Sequence, residues 1–295
     1  MNRINKLFAT KSEKILSIYF CAGHPTLEGT VETIKTLEKK GVDMIEVGIP
    51  FSDPMADGPV IQDAATKALR NGMSLKKLFT QLEELHRSPV LTFPKGEENH
   101  PDSTSSPQSK EPCPDGKSSP LGGTGGGLPL ILMGYLNPIM QFGFEHFCQR
   151  CVEVGIDGVI IPDLPFDDYM KDFKPIADKY DLRIIMLITP ETSDERIRFI
   201  DDNTDGFIYM VSSAATTGTQ QSFDEMKQQY FNHVRSLNLK NPTMIGFGIS
   251  NKQTFETAQA NANGAIIGSK FVQLLDEEKG DPEKALDRLF ISLLK

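Results

Sequence analysis

The sequence predicts a single closed barrel of eight parallel strands with helices outside it, a (β/α)8 barrel. Short β-branched runs alternate with longer amphipathic stretches eight times along the 295 residues, which is typical of α/β proteins with a parallel sheet. Most of these runs are continuously apolar, as strands covered on both faces are. A doubly wound open sheet is the competing fold, but no G-x-G-x-x-G motif follows the first run.

The elements follow one another in a regular order. The predicted strands are Ile15–Phe20, Asp43–Val47, Pro129–Met133, Gly158–Ile161, Arg183–Ile188, Gly206–Val211, Thr243–Gly246 and Ala265–Ile267. Helical periodicity is clearest between them in Thr26–Lys40, Phe142–Val154, Asp167–Tyr180, Asp224–Leu237 and Lys252–Asn261.

One segment, residues 88–127, departs from this alternation. It is rich in Pro, Gly and Ser and has no hydrophobic periodicity, so it cannot bury enough apolar surface to offset its ordering entropy. We interpret it as a disordered insertion between the second helix and the third strand, within one barrel domain spanning 1–295. A linker between two domains is excluded, because the first part would hold only two βα units. Without the insertion the chain has the usual barrel length of about 250 residues.

Composition excludes one class of partner. The chain is 39% hydrophobic and 24% charged, with a formal net charge of −9, and therefore lacks the basic surface that a nucleic acid requires. A small phosphate ester is still a possible ligand, because a few backbone N–H groups can bind it. No run approaches the roughly 18 apolar residues of a membrane-spanning helix, and no secretory signal is evident. Because the four cysteines are too scattered for a disulfide framework, we expect a cytoplasmic protein.

The most informative string is M-I-E-V-G-I-P-F-S-D-P-M-A-D-G-P, from Met44 to Pro59. Glu46 is an ionisable residue in an apolar strand, and Asp57 lies on the loop that follows, where catalytic residues of barrels are found. A partly desolvated carboxyl there has its pKa raised towards the range useful for proton transfer, and two carboxyls in different surroundings can take different roles. The structural alternatives are an ion pair for Glu46 and a turn-stabilising role for Asp57.

A second feature lies near the end of the chain. Small residues follow the seventh and eighth strands and precede helices, in Gly246-Phe-Gly-Ile-Ser250 and Gly264-Ala-Ile-Ile-Gly-Ser-Lys270. Such loops form the phosphate site of many barrels. The candidate phosphate-binding residues are Gly218, Gly248, Gly268 and Ser269. The alternative is that these glycines only shape turns.

The pair Cys148-Gln-Arg-Cys151 resembles a metal or redox motif. However, Phe144, Phe147, Cys148, Cys151 and Val152 share one helical face, and no second ligand pair exists. We therefore predict buried helix core here and no metal site.

The string beginning at Glu46 closely resembles the signature of the tryptophan synthase α subunit family. The resemblance continues, in order, through Gly23-His-Pro25, Met133-Gly-Tyr-Leu-Asn-Pro138, Ile161-Pro-Asp-Leu-Pro165, Gly246-Phe-Gly-Ile-Ser250 and Gly268-Ser269. It covers nearly the whole chain apart from the insertion.

The resemblance implies retro-aldol cleavage of indole-3-glycerol phosphate to indole and glyceraldehyde 3-phosphate. Glu46 matches the family's acid/base, and Asp57 matches the carboxylate that stabilises positive charge on the indole N–H. The positions that match substrate-binding residues are Tyr19, Tyr135, Ile160, Tyr209, Thr217 and Phe247. The resemblance also implies a pyridoxal-phosphate-dependent β subunit as partner in an α2β2 assembly, contacted through the Phe51–Pro59 loop and Asn137-Pro138, and no cofactor in this chain.

The sequence departs from the family's pattern in the loop after the sixth strand. The family usually has V-S-x-x-G-V-T-G, whereas this chain has Val211-Ser-Ser-Ala-Ala-Thr-Thr-Gly218, with Ala215 in place of the loop glycine. Closure of such a loop excludes water from a site, so its rate or partner dependence can differ here. Two other functions stay open: an isomerase of phosphoribosyl anthranilate, and a non-catalytic subunit that only activates the β enzyme.

Overall fold

Eight parallel strands form a closed barrel in the order of the chain. The structure is a computed structural model that describes residues 1–87, 127–211, 220–246 and 248–294. Each strand pairs with the next, and β8 pairs with β1, so the predicted barrel is confirmed. The strands are β1 (Ile15–Cys21), β2 (Met44–Gly48), β3 (Leu130–Met133), β4 (Gly158–Ile160), β5 (Arg183–Ile188), β6 (Ile208–Val211), β7 (Thr243–Gly246) and β8 (Gly264–Ile267).

Helices surround the barrel and cover the apolar outer faces of its strands. In the described part of the chain they are α1 (Arg3–Thr10), α2 (Gly29–Lys39), α3 (Pro59–Arg70), α4 (Leu75–Arg87), α5 (Leu136–Phe142), α6 (Phe144–Glu153), α7 (Phe166–Asp168), α8 (Lys174–Lys179), α9 (Asp194–Asn203), α10 (Gln220–Ser236), α11 (Lys252–Asn261), α12 (Ser269–Glu277) and α13 (Pro282–Leu294). None of these helices is long and apolar enough to cross a membrane.

Two of the predicted helices differ in detail from the observed ones. The helix predicted from Phe142 begins at Phe144, because Gly143, with φ of +88°, ends α5 and separates it from α6. The helix predicted over Asp167–Tyr180 is interrupted by the π-helical segment Tyr169–Phe173 between α7 and α8. Pro175 follows this segment and has no amide hydrogen to continue the regular α-helical pattern.

Helix α1 covers the amino-terminal end of the barrel. The Asn2 side-chain amide donates hydrogen bonds to the carbonyl oxygens of Asp157 and Asp181, at 2.8 and 3.0 Å. Both acceptors immediately precede the region where β4 and β5 begin, and Arg3 forms an ion pair with Asp157 at 2.8 Å. The accessible end of the barrel therefore lies at the carboxyl ends of the strands. The predicted insertion, 88–127, lies outside the described residues except for Gly127.

Candidate active site

A cavity of about 290 Å³ opens at the carboxyl ends of the strands. It is lined by Tyr19, Asp57, Ile61, Met133, Tyr209, Gly248, Ile249, Ser250, Ile266, Gly268, Ser269, Lys270 and Gln273. These residues come from strand tips and from the βα loops and helices that follow, as expected for the functional end of a barrel. The structure thus brings together six of the residues predicted from sequence: Tyr19, Asp57, Tyr209, Gly248, Gly268 and Ser269.

Glu46 lies inside the barrel next to this cavity but is not one of its lining residues. It is fully buried in β2, where its Oε1 accepts a 2.8 Å hydrogen bond from Ser17 Oγ of β1. Its Oε2 has no hydrogen-bond partner among the described residues. Burial raises the pKa of Glu46 to about 7, while the bond from Ser17 acts in the opposite direction. The carboxyl is therefore poised to gain or lose a proton near neutral pH.

Tyr19 covers Glu46 on the side of the cavity. Its Cα is paired with that of Glu46 in the β1–β2 register. Its hydroxyl lies against Gly48, two residues further along β2 on the same face, where an added Cβ would be 2.2 Å from Tyr19 Oη. Glycine at position 48 is therefore what allows the phenol to lie across β2. Contact between Glu46 and a ligand requires Tyr19 or Glu46 to move.

Tyr209 of β6 occupies a similar position against β7. An added Cβ at Gly246 would be 1.9 Å from Tyr209 Oη, so this phenol also depends on a glycine of the neighbouring strand. Burial raises the pKa of both Tyr19 and Tyr209 well above the usual tyrosine value, and the charge of Glu46 contributes to each shift. Both phenols are therefore neutral hydrogen-bonding groups close to the buried carboxyl.

Asp57 lies in the cavity wall on the loop between β2 and α3. Its Oδ2 accepts a 3.0 Å hydrogen bond from the Tyr135 hydroxyl, whose oxygen in turn accepts from the Ala56 amide at 3.0 Å. Burial raises the pKa of Asp57 to about 6, and the bond from Tyr135 opposes this rise. The site therefore contains two carboxyls in different surroundings, Glu46 inside the barrel and Asp57 in the cavity wall.

The β7 and β8 side of the cavity is suited to an anion. Gly248 follows β7 with φ of +76°, and Gly268 precedes α12, whose first turn contains Ser269 and Lys270. The positive end of a helix dipole and its free N–H groups favour an anionic group at this place. Lys270 adds a cation to the same wall and has no ion pair with any described residue.

Five other predicted site residues are not among the described lining residues, and one of them, Tyr135, contacts the cavity wall through Asp57. Ile160 is fully buried in β4 and is not among the lining residues. Thr217, Gly218 and Phe247 lie outside the described residues, as does Ala215, so their roles stay predictions.

Four polar residues of the site were not among the predicted site residues: Ser17, Ser250, Lys270 and Gln273. Ser17 interrupts an apolar strand in the same way as Glu46 does, and that signal could have identified it. Lys270 follows the Gly-Ser pair directly, but residue type alone did not indicate that it would line the cavity.

The C-x-x-C pair belongs to the core of α6. Phe144, Phe147, Cys148 and Cys151 are buried on one helical face, which confirms the helix-core interpretation for these four residues. Burial raises the pKa of both thiols, so neither is a reactive thiolate at neutral pH. Within the described ranges, no cluster of three or more potential metal ligands occurs.

A family model and related sequences identify the chain's family. The model described as "Tryptophan synthase alpha chain" matches residues 6–94 and 123–293, leaving 95–122, inside the predicted insertion, unmatched. The tryptophan synthase alpha chain of Phocaeicola vulgatus is 61% identical over 293 residues, covering 99% of both chains.

Solved structures agree with this result. The chain is similar to tryptophan synthase subunit alpha of Legionella pneumophila, with a TM-score of 0.77, 31% identity and coverage of 99% and 97% of the two chains. It is also similar to a chain of the tryptophan synthase complex from Pyrococcus furiosus, with a TM-score of 0.72, 28% identity and coverage of 96% and 98%. The chain therefore belongs to the tryptophan synthase alpha chain family and is a lyase of tryptophan biosynthesis.

Proposed function

We propose that this chain cleaves indole-3-glycerol phosphate to indole and glyceraldehyde 3-phosphate by a retro-aldol reaction, with Glu46 and Asp57 as its catalytic residues. The main support is a pair of carboxyls at one end of the barrel in different surroundings. Glu46 is fully buried and accepts one hydrogen bond, from Ser17, whereas Asp57 lines the cavity and accepts a hydrogen bond from Tyr135. Burial raises the pKa of both groups, and different surroundings let one carboxyl move protons while the other stabilises charge.

Glu46 is suited to the proton transfers of this reaction. Breaking the bond between indole C3 and the glycerol side chain requires a proton on C3 and removal of a proton from the adjacent hydroxyl. The electrons of that O–H bond then form the C=O bond of the aldehyde, while the electrons of the broken C–C bond return to the indole ring and cancel its positive charge. A carboxyl with a pKa near the working pH can both donate and accept with a small energetic cost. For this chemistry Tyr19 or Glu46 moves so that the carboxyl meets the substrate.

Asp57 is suited to stabilising charge on the indole ring. As C3 is protonated, positive charge develops on the ring N–H, and an ionised carboxylate beside it stabilises the transition state more than the ground state. Tyr135 holds this carboxylate through its 3.0 Å hydrogen bond. This contact gives Tyr135 a role in positioning Asp57 in addition to its proposed place in the ring pocket.

The remaining walls match the two ends of the substrate. The apolar and aromatic residues Tyr19, Met133, Tyr209 and Ile266 line the cavity, and we assign the indole ring to them together with Ile160 and Phe247. The phosphate is assigned to Gly218, Gly248, Gly268 and Ser269, beside the α12 N-terminus. Thr217 completes the substrate-binding residues from the loop after β6.

We also propose that the chain acts in the cytoplasm with a β subunit, in an α2β2 assembly in which the β subunit holds pyridoxal phosphate. The Phe51–Pro59 loop carries Met55, which is 88% exposed and offers an apolar contact to a partner. Tyr135 links this loop to the segment containing Asn137-Pro138 through the Ala56 amide. Cys21, Cys148 and Cys151 are free thiols, in keeping with a reducing compartment.

Indole release by the wild type and by Glu46→Gln tests the proposal. The variant has nearly the same shape but no titratable carboxyl, so we expect a loss of about 100- to 10,000-fold in rate. Glu256→Gln, an exposed change on α11, is the matched control and keeps full activity. Each protein is assayed with and without a β subunit.

The outcomes distinguish the competing functions. No indole from the wild type, even with the β subunit, overturns the proposed lyase reaction. Activation of the β subunit without cleavage identifies a non-catalytic subunit, and turnover of phosphoribosyl anthranilate identifies an isomerase. Full activity of Glu46→Gln removes Glu46 from the mechanism.

A further inference from the structure

Ser17 and Glu46 form an isolated polar pair inside the barrel. Both side chains are fully buried, and Ser17 Oγ donates to Glu46 Oε1 at 2.8 Å. Ser17 and Tyr19 lie two residues apart on β1, on the face that points inwards, and the register pairs Tyr19 with Glu46. Ser17 therefore donates its hydrogen bond from the side of the amino ends of the strands, while Tyr19 covers the carboxyl on the side of the cavity.

The two oxygens of the Glu46 carboxyl are not equivalent. Oε1 accepts the hydrogen bond from Ser17, whereas Oε2 has no partner among the described residues. A proton on Oε1 would compete with the Ser17 hydroxyl for the same oxygen, while a proton on Oε2 leaves the hydrogen bond in place. The proton that the carboxyl exchanges therefore belongs on Oε2.

We propose that Ser17 is a positioning residue of the active site: it anchors Oε1 of Glu46 and leaves Oε2 to carry the transferred proton. The role rests on the proposed function only in so far as Glu46 is the acid/base of the reaction. Ser17 does not touch the substrate and acts through Glu46.

Among the groups around the pair, Ser17 is the principal one that lowers the pKa of Glu46, against the rise caused by burial. The titratable groups whose charges interact with Glu46 are Tyr19 of β1 and Tyr209 of β6, and burial keeps both phenols neutral. Asp57, on the loop after β2, interacts with the same two phenols. No Lys, Arg or His forms an ion pair with Glu46 in the described part of the chain. Loss of the Ser17 hydroxyl leaves burial unopposed and raises the pKa of Glu46.

The test is the Ser17→Ala variant, which removes one oxygen atom and leaves a small side chain. The pKa of Glu46 is measured by carboxyl ¹³C NMR, with Glu46→Gln used to assign the signal. The pH dependence of kcat/KM for indole-3-glycerol phosphate is measured in parallel, because it reports groups of the free enzyme. We expect the pKa of Glu46 from NMR and the pKa in the kcat/KM profile each to rise by about one unit, a tenfold change in proton affinity. Ser17→Thr restores a hydroxyl and should return both values towards those of the wild type.

The results separate this proposal from the reaction itself. An unchanged Glu46 signal in Ser17→Ala overturns the role of Ser17, whatever happens to the rate. A lower rate with the same pH dependence shows a merely structural role and overturns it as well. If the wild type releases no indole but the Glu46 signal still moves, the proposed reaction fails while the anchoring of the carboxyl stands.

Discussion

At the scale of single residues, the main feature is a carboxyl placed where the solvent cannot reach it. Glu46 is fully buried and has one hydrogen bond, from Ser17. Burial without a cation disfavours the charged form, so the chain loses stability whenever Glu46 is ionised. We interpret this cost as the consequence of holding an acid/base group with a pKa near 7.

The free-energy cost of ionising the buried Glu46 carboxyl predicts how the stability of the fold depends on pH. Because the pKa of Glu46 is about 7 in the folded protein and 4.5 in the reference state, the folded form binds more protons between these values. Stability therefore falls as pH rises through this window. Glu46→Gln removes the cost, so at pH 8 we expect the variant to be more stable than the wild type by up to about 3 kcal/mol.

Thermal unfolding of both proteins at pH 8 and below pH 4.5 measures this effect. The difference in Tm should shrink at the lower pH, where Glu46 is protonated in both the folded and unfolded chains. Glu256→Gln, an exposed change on α11, should show no such dependence. A Tm difference that is the same at both pH values would contradict a buried, ionising Glu46.

At the scale of elements, helix α12 has a positively charged side chain, Lys270, at its N-terminal end. Lys270 is in the first turn of the helix, which contains no acidic residue and no side-chain N-cap. A cation there is disfavoured by the helix dipole, while an anion bound at the same turn would compensate it. We therefore interpret Lys270, which lines the cavity, as an additional contact for the substrate phosphate.

Lys270→Met tests this interpretation. A lost charged hydrogen bond to a remote phosphate should raise the KM for indole-3-glycerol phosphate by about 10- to 100-fold, with a smaller change in kcat. Lys252→Met is the matched control, since Lys252 is exposed at the start of α11 and does not line the cavity. Equal effects of the two substitutions would show that only net charge matters, and an unchanged KM in Lys270→Met would exclude the contact.

At the scale of the whole molecule, the candidate active site and the long insertion lie at opposite ends of the barrel strands. The cavity lies at the carboxyl ends of the strands, whereas the segment 88–127 follows the carboxyl end of α4 and precedes the amino end of β3. Loop length adds little to the free energy of closing a chain. We propose that residues 1–295 form one domain and that this insertion takes no part in its chemistry.

Replacing 88–127 by a short Gly-Ser linker should leave the barrel and its activity intact. We expect unchanged indole release, the same circular dichroism spectrum after correction for length, and one cooperative thermal transition. Loss of the barrel spectrum would show that the segment is needed for folding. A loss of activity with an intact barrel would show that it contributes to the site.

The local pattern of residues was sufficient to predict the barrel and its two carboxyls. Apolar runs of strand length determine the eight strands, because each parallel strand must be covered on both faces. Glu46 and the Gly-Pro loop after it stand out because an ionisable residue in such a run is costly without a role. The breaks at Gly143 and before Pro175 were missed, because the amphipathic pattern continues across both of them.

Only the tertiary structure decided how the side chains meet. Ser17 reaches Glu46 from 29 positions away, and Tyr135 reaches Asp57 from 78 positions away. Lys270 joins the same cavity wall from the far end of the chain. These contacts depend on the strand register and on the packing of side chains from neighbouring strands. Tyr19, for example, lies against Gly48 and covers Glu46. Hydrophobic periodicity determines which face a residue lies on, but the packing between strands determines its partner.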